Sequence, residues 1–225
     1  MNIVERIDDA VKVEHVLVSV SDKRGLESLI SGLVGINPGV KIFSTGGTFE
    51  RIREILGDRA SCLRQVSDYT GQPETQGGLV KTLDFKIYLG LLTETYNEAH
   101  RKDLQRTGAV AIDLVVVNLY PFQKTIAKTG VTAEEARANI DIGGPCMIRA
   151  AAKNYIRVAP VVDPDDYDRI LSELRAAKGA TSLKLRFELA RKAFDHTARF
   201  DRAIADFLSE RSQEEVEKCY RTSPR

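Results

Sequence analysis

"HVLVSVSDKRGLESLISGLVG", residues 15–35, decides the fold. Its first six residues are a short valine-rich run, the pattern of a strand buried on both faces of a parallel sheet. After the polar turn, Leu26, Leu29, Ile30 and Leu33 fall on one helical stripe. The stretch therefore reads as strand, turn, helix. The same unit recurs outward along the chain. "VKIFST" (40–45) leads through "TGGT" (45–48) into "FERIREIL" (49–56), with Phe49, Ile52, Ile55 and Leu56 on one face. "AIDLVVVNL" (111–119) is the strongest strand signal, and "YIRVAPVV" (155–162) is another. In "DPDDYDRILSEL" (163–174), Asp163 is placed to cap, Pro164 opens the helix, and Tyr167, Ile170, Leu171 and Leu174 form its apolar face. The alternation predicts an α/β fold, a mainly parallel sheet flanked by helices on both faces.

The chain has 225 residues, enough to bury a core without disulfides or metals. Its 33 basic and 32 acidic residues leave a net charge of +1, so no broad basic field argues for nucleic acid and an anion site has to be local. Cys62, Cys146 and Cys219 are odd in number and far apart, which fits neither a disulfide framework nor a metal knuckle and suggests a reducing cytoplasm. The three histidines, His15, His100 and His196, lack ligand spacing, so no metal is expected. The N-terminal stretch has no signal-peptide core, and no apolar run approaches the roughly 18 residues that span a bilayer, so no membrane partner is expected.

"AAKGATS" (176–182) is a small-residue break before a long helical pattern at 183–208. Leu183, Phe187, Ala190 and Phe194 make one stripe there, and Ala193, Phe200, Ile204 and Phe207 another. Two stripes imply contact with two surfaces. The expected organisation is a catalytic domain over 1–180, a helical extension over 181–210 packed on the core or a partner subunit, and a flexible polar tail over 211–225.

Ligands in open parallel sheets sit beyond the carboxyl ends of the strands. Three segments fall there: "SDK" (21–23), "TGGT" (45–48) and "NLYPF" (118–122). "TGGT" offers free N–H groups and hydroxyls for a phosphate but matches neither GxGxxG nor GxxxxGK[ST]. Ser21 or Asp22 could simply cap the next helix, whereas Lys23 near a helix start is out of place unless an anion binds. "TGQPETQGGLVKTLDFK" (70–86) is a long polar loop carrying Lys81 and Thr82 between apolar residues. Tyr120, just past a buried strand, has a plain reading as a core tyrosine. "NIDIGGPCMIRAAAKN" (139–154) also has two readings. Asp141 caps a helix whose last turn carries Lys153, or the glycine-led start and the acid serve an anion and proton transfer.

"SVSDK", "STGGT", "GGLVKTL", "NLYPF", "IDIGG" and "RAAAKN" resemble, in order and spacing, the IMP cyclohydrolase domain, the N-terminal part of the bifunctional AICAR transformylase/IMP cyclohydrolase family. The resemblance covers about residues 13–210. It implies a methylglyoxal synthase-like fold, a homodimer in the cytoplasm, and dehydrative ring closure of FAICAR to IMP without cofactor or metal. It further implies Lys81, Tyr120, Asp141 and Lys153 as catalytic residues, the first two holding an oxyanion and the last two moving protons. Phosphate and ribose fall to Ser21, Asp22, Lys23, Thr45, Gly46, Gly47, Thr48 and Thr82, and the base to Asn118 and Asp141–Ile142, with Val80 and Gly143 also expected to touch the substrate. The helix at 183–208 looks like the segment leading into a transformylase. A stand-alone cyclohydrolase with a separate transformylase partner and an excised domain both remain open.

Two departures stand out: Leu79 where many members have arginine, and "KTLDF" (81–85) where they have "KTLHP". Two rival readings remain. A methylglyoxal synthase-like lyase would need an aspartate after a Gly-Gly pair, where this chain has Leu79. A non-catalytic nucleotide-binding regulatory module would not need Lys81, Tyr120, Asp141 and Lys153 together. If 141–153 were one straight helix, its ends would stand roughly 18 Å apart. For Asp141 and Lys153 to act together the chain must turn before or after a shorter helix, or else they act on opposite ends of the substrate or come from different subunits.

Overall fold

The computed structural model describes residues 3–73 and 81–221. The chain opens with a two-residue strand β1 (Val11–Lys12), then β2 (His15–Val20), helix α1 (Leu26–Ile36), β3 (Lys41–Ser44) and α2 (Gly46–Leu56). There follow β4 (Leu63–Gln65), α3 (Val66–Thr70), α4 (Phe85–Leu92) and α5 (Glu98–Thr107). The next elements are β5 (Leu114–Asn118), α6 (Phe122–Ile126), α7 (Ala133–Ala138) and α8 (Gly143–Lys153). The chain continues with β6 (Ala159–Val161), α9 (Tyr167–Ala176), β7 (Ala180–Thr181), the 27-residue α10 (Leu183–Ser209) and α11 (Gln213–Glu217).

The main sheet has the order β4-β3-β2-β5-β6, with every pairing parallel. All four strands read from the sequence belong to it. The fifth, β4, is the three-residue "LRQ" at an edge, too short to show a period. One face of the sheet packs Val16, Val18, Leu114 and Val116 against α1 and α9. The other packs Leu17, Val115 and Val117 against α4, α8 and α10. The central strands β2 and β5 are thus apolar on both sides, which is why they read as continuous runs rather than alternations. The buried residues of α9 are Tyr167, Ile170, Leu171 and Leu174, the predicted stripe. Asp163 accepts a hydrogen bond from Asp165 N–H at 3.0 Å and caps the turn that leads into this helix.

Three expectations are corrected. "AAKGATS" is more than a break: Gly179 turns at φ +89°, and Ala180–Thr181 pair antiparallel with Lys12 and Val11. Part of the 211–225 tail is ordered as α11, closed by a capping box between Ser212 and Glu215. In α10 the buried line runs through Leu185, Arg186, Leu189, Ala190, Ala193, Thr197, Phe200 and Phe207, while Phe187 and Phe194 of the predicted first stripe are exposed. A helical period allows several phases, and here the sheet selects the leucines and alanines that permit close approach.

Two buried guanidinium groups tie the layers. Arg157 donates to Asp113 Oδ1 at 2.6 Å, while Asp113 Oδ2 accepts from Glu14 N and His15 N at 2.9 and 2.8 Å. This pair closes the amino ends of β2, β5 and β6. Arg186 is fully buried and donates to the carbonyls of Asp8, Asp9, Tyr155, Ile156 and Thr181. It joins α10 to the N-terminal segment, to β7 and to the turn after α8. Among the described residues no helix is long and apolar enough to cross a membrane.

Candidate functional site

The carboxyl edge of the sheet gathers side chains from four separate segments. Thr45 leaves β3 and is followed directly by α2, whose first residue, Gly46, has φ +48°. The N–H groups of Thr48 and Phe49 both donate to Thr45 O at 3.2 Å. Those of Gly46 and Gly47 have no carbonyl within the helix to reach, which leaves two donors at the positive end of an 11-residue helix. Lys81 comes to this point: a methyl group on Gly46 would stand 3.0 Å from its Nζ. Thr82, buried, comes to the start of α8, where a methyl group on Gly143 would stand 2.8 Å from Thr82 Oγ1.

Asp141 completes this group and answers to both of its readings. Its Oδ1 accepts from Gly144 N at 3.0 Å, so it does cap α8. Burial also pushes its carboxyl pKa up, against the lowering effect of that N–H. A carboxyl whose pKa is raised by burial, at the glycine-led start of α8, is equipped to take and return a proton. Gly144 is glycine because a side chain there would come within 2.5 Å of Asp141 Oδ2 and 2.6 Å of Leu119 Cδ2. Gly144→Ala is expected to push Asp141 out of place, costing about 1–3 kcal/mol of stability and most of any turnover. Circular dichroism melting with a rate assay checks this, and normal turnover would contradict it.

Several predicted contacts turn out to be structural. Thr48 Oγ1 accepts from Val20 N at 3.1 Å and donates to Val20 O at 3.0 Å. The register Val18↔Ser44 ends β3 two residues short of Val20, so the Thr48 hydroxyl stands in for the missing strand and is not free for substrate. Asn118 Oδ1 accepts from Ser21 N at 2.7 Å and Asp22 N at 2.8 Å, and its Nδ2 donates to Asp22 O at 2.9 Å. Its amide shapes the 21–22 turn and leaves little for a base. Neither Ser21 nor Asp22 caps α1, whose N-cap is Gly25 without a side-chain bond. Asp22 instead accepts from Arg24 N at 3.0 Å and Arg24 Nε at 2.7 Å, which lowers its pKa. A carboxylate held by arginine does not suit a phosphate directly. Lys23 and Ile142 are exposed.

Tyr120 is 60% exposed, which overturns its reading as a core tyrosine. Lys153 is exposed at the far end of α8. That helix runs unbroken from Gly143, about 15 Å at 1.5 Å per residue, so Asp141 and Lys153 do not pair within one chain. Val80 and Leu79 lie outside the described residues. Asp84, standing where many members have histidine, is buried and caps α4 through Lys86 N at 2.7 Å.

A cleft of about 770 Å³ opens beside this group, walled by α6 and α10. It shares Ser21, Asp22, Asn118 and Tyr120 with the predicted site but excludes Gly46, Lys81, Thr82 and Asp141. Arg24, Lys124, Lys192 and His196, on its wall, had no sequence signal, because nothing local places residues of α10 beside β2.

Glycine-led helix starts at the carboxyl edge of a five-stranded parallel sheet define a small α/β domain with the donors an anion would use. A family profile described as the MGS-like domain matches residues 25–146, and one described as the AICARFT/IMPCHase bienzyme matches residues 151–224. The chain belongs to the MGS-like domain family. It is 47% identical over 198 residues to the bifunctional purine biosynthesis protein PurH of Acidithiobacillus ferrooxidans, covering 88% of this chain and 37% of that protein. The PurH of Magnetococcus marinus is 48% identical, over 88% of this chain and 36% of its own. The chain thus spans little more than a third of these relatives. A crystal structure of ForH superposes with a TM-score of 0.74 at 33% identity, over 87% of this chain and 99% of that one.

Proposed function

We propose that this chain is an IMP cyclohydrolase, closing FAICAR to IMP in the last step of purine synthesis, a cyclic amidine hydrolase by reaction class. The observation that carries the reading is the convergence of Lys81, Thr82 and the desolvated Asp141 on the helix starts at Gly46 and Gly143. The carboxamide nitrogen attacks the formyl carbon, and the new C–N bond leaves charge on the former formyl oxygen. Lys81 and the exposed hydroxyl of Tyr120 are the donors for that oxygen. Asp141 takes a proton from the attacking nitrogen and returns it to that oxygen, giving a hydroxyl. The hydroxyl then leaves as water with a second proton, the one released by the former formamide nitrogen as its C=N bond forms and the C–O bond breaks. The Gly46 and Gly47 amides with Thr45 and Lys23 suit the phosphate. Residues 1–180 carry the chemistry, and 181–210 brace it. Incubating the protein with FAICAR and following IMP by absorbance tests the reading; absence of IMP at micromolar enzyme would end it.

Lys153 enters this scheme only from a second copy of the chain, in a cytoplasmic homodimer. The outward face of α8 and α10 supports that arrangement: Ile142, Phe187 and Phe194 are exposed there, with Arg149 over the Phe194 ring at 5.7 Å. If sites are shared in this way, mixing inactive Asp141→Asn and Lys153→Ala proteins restores activity. Half the dimers would be mixed, each with one intact site, giving roughly a quarter of the parent rate. A mixture as dead as its components would show that Lys153 does not act across an interface.

A further inference from the structure

The cleft between α6 and α10 is not explained by the chemistry above, and it lies at the point where the strand order reverses. From β2 the chain winds through β3 and β4 toward one edge, and from β5 through β6 toward the other, so β2 and β5 are neighbours that feed opposite halves. Such a junction opens a crevice at the carboxyl ends of its strands. At about 770 Å³ it is of the size that encloses a small molecule. Its wall is apolar on one side, with Leu119, Phe122, Val162 and Phe200, and basic at its rim.

The rim cations are not equivalent. Arg24 is engaged by Asp22, Lys192 by Asp163 and Asp166 at 2.7 and 2.8 Å, and Arg199 by Asp195. Lys124, on α6, is exposed and in no salt bridge among the described residues, though its charge helps lower the Asp22 pKa. Apolar wall, exposed tyrosine ring and one uncommitted ammonium together describe a ligand. We propose that this cleft is a second binding site, for a small molecule with an aromatic or aliphatic body and a single anionic group facing Lys124. It is separate from the Lys81–Asp141 group and touches it through Tyr120 and Asn118, the residues that lie on both. A ligand in the cleft would contact Tyr120, so its occupancy would be felt at the catalytic edge while leaving the Gly46, Lys81 and Asp141 contacts open.

The probe is 8-anilinonaphthalene-1-sulfonate, an aromatic body with one sulfonate. Saturable binding to one site per chain is expected, weakened about tenfold by Lys124→Ala and abolished by Ala203→Trp, which fills the cleft from α10. The Cε1–H signal of His196, on the cleft wall, should shift during the titration. Melting curves establish that both variants are folded; if Ala203→Trp does not fold, the Lys124→Ala titration and the His196 signal decide. Saturating IMP should leave the probe bound, whether or not the chain converts FAICAR. Binding that Lys124→Ala leaves unchanged, an unmoved His196 signal, or stoichiometric displacement by IMP would each overturn the second site.

Discussion

Arg186→Met is expected to destabilise the protein by roughly 3–5 kcal/mol, lowering the melting temperature on the order of 10 °C. The residue is fully buried and faces five backbone carbonyls rather than a carboxylate. Nε reaches Tyr155 O at 3.0 Å, Nη1 reaches Asp9 O at 2.9 Å, and Nη2 reaches Asp8 O at 2.8 Å. Methionine keeps most of the apolar stem but leaves these acceptors unpaired in a dry setting, the costly half of losing a hydrogen bond. Burial lowers the arginine's pKa, yet the surrounding carbonyl dipoles favour its charge, and its planar fork serves three directions at once. Arg186→Lys should recover less than half of the loss, because an ammonium cannot span three directions. A scanning calorimetry difference under 2 °C for methionine would show that water replaces the guanidinium freely.

Asp141→Asn should lower turnover by about 10²- to 10⁴-fold, the range of a lost general acid–base group, while the protein stays folded and still binds IMP. Asparagine keeps the oxygen that accepts from Gly144 N, so the α8 cap survives. The same change has a signed effect on stability. Desolvation raises the folded-state pKa of Asp141 above the ordinary value of an aspartate. Between the unfolded and the folded pKa the native chain holds a proton that the unfolded chain has released, so stability falls as pH rises through that window and stays lower above it. Below both values Asp141 contributes no difference. Asparagine does not titrate, so the variant should melt higher than the parent at neutral pH, and the gap should close below about pH 4. A variant that is less stable at neutral pH would mean the carboxylate is better solvated than its burial indicates. Undiminished turnover would reduce Asp141 to a cap.

The helices that escaped the sequence reading did so for definite reasons. In "FKIYLGLL" of α4 the apolar residues run nearly all round, so no stripe stands out. In "EAHRKDLQRT" of α5 no residue is buried, so there is no apolar face to find. Phe187 and Phe194 drew attention by size, yet the sheet-facing line of α10 is built from leucine, alanine and one arginine. Nothing in the neighbourhood of Arg186 marks it as a core residue, because its partners are mostly backbone carbonyls, up to 178 residues away along the chain.

What the sequence determined by itself is what repeats locally: valine-rich runs before helical stripes, and glycine pairs at helix starts. Those patterns depend on neighbours a few residues apart and follow from the two periods of the backbone. The tertiary structure alone decided that Lys81 meets Gly46, that Thr82 meets Gly143, and that Lys153 stands a helix length from Asp141. It also decided that Thr48 and Asn118 are occupied in holding turns. Those outcomes depend on which strands pair and how deeply a group is buried, and a carboxyl such as Asp141 has a raised pKa only once packing has removed its water.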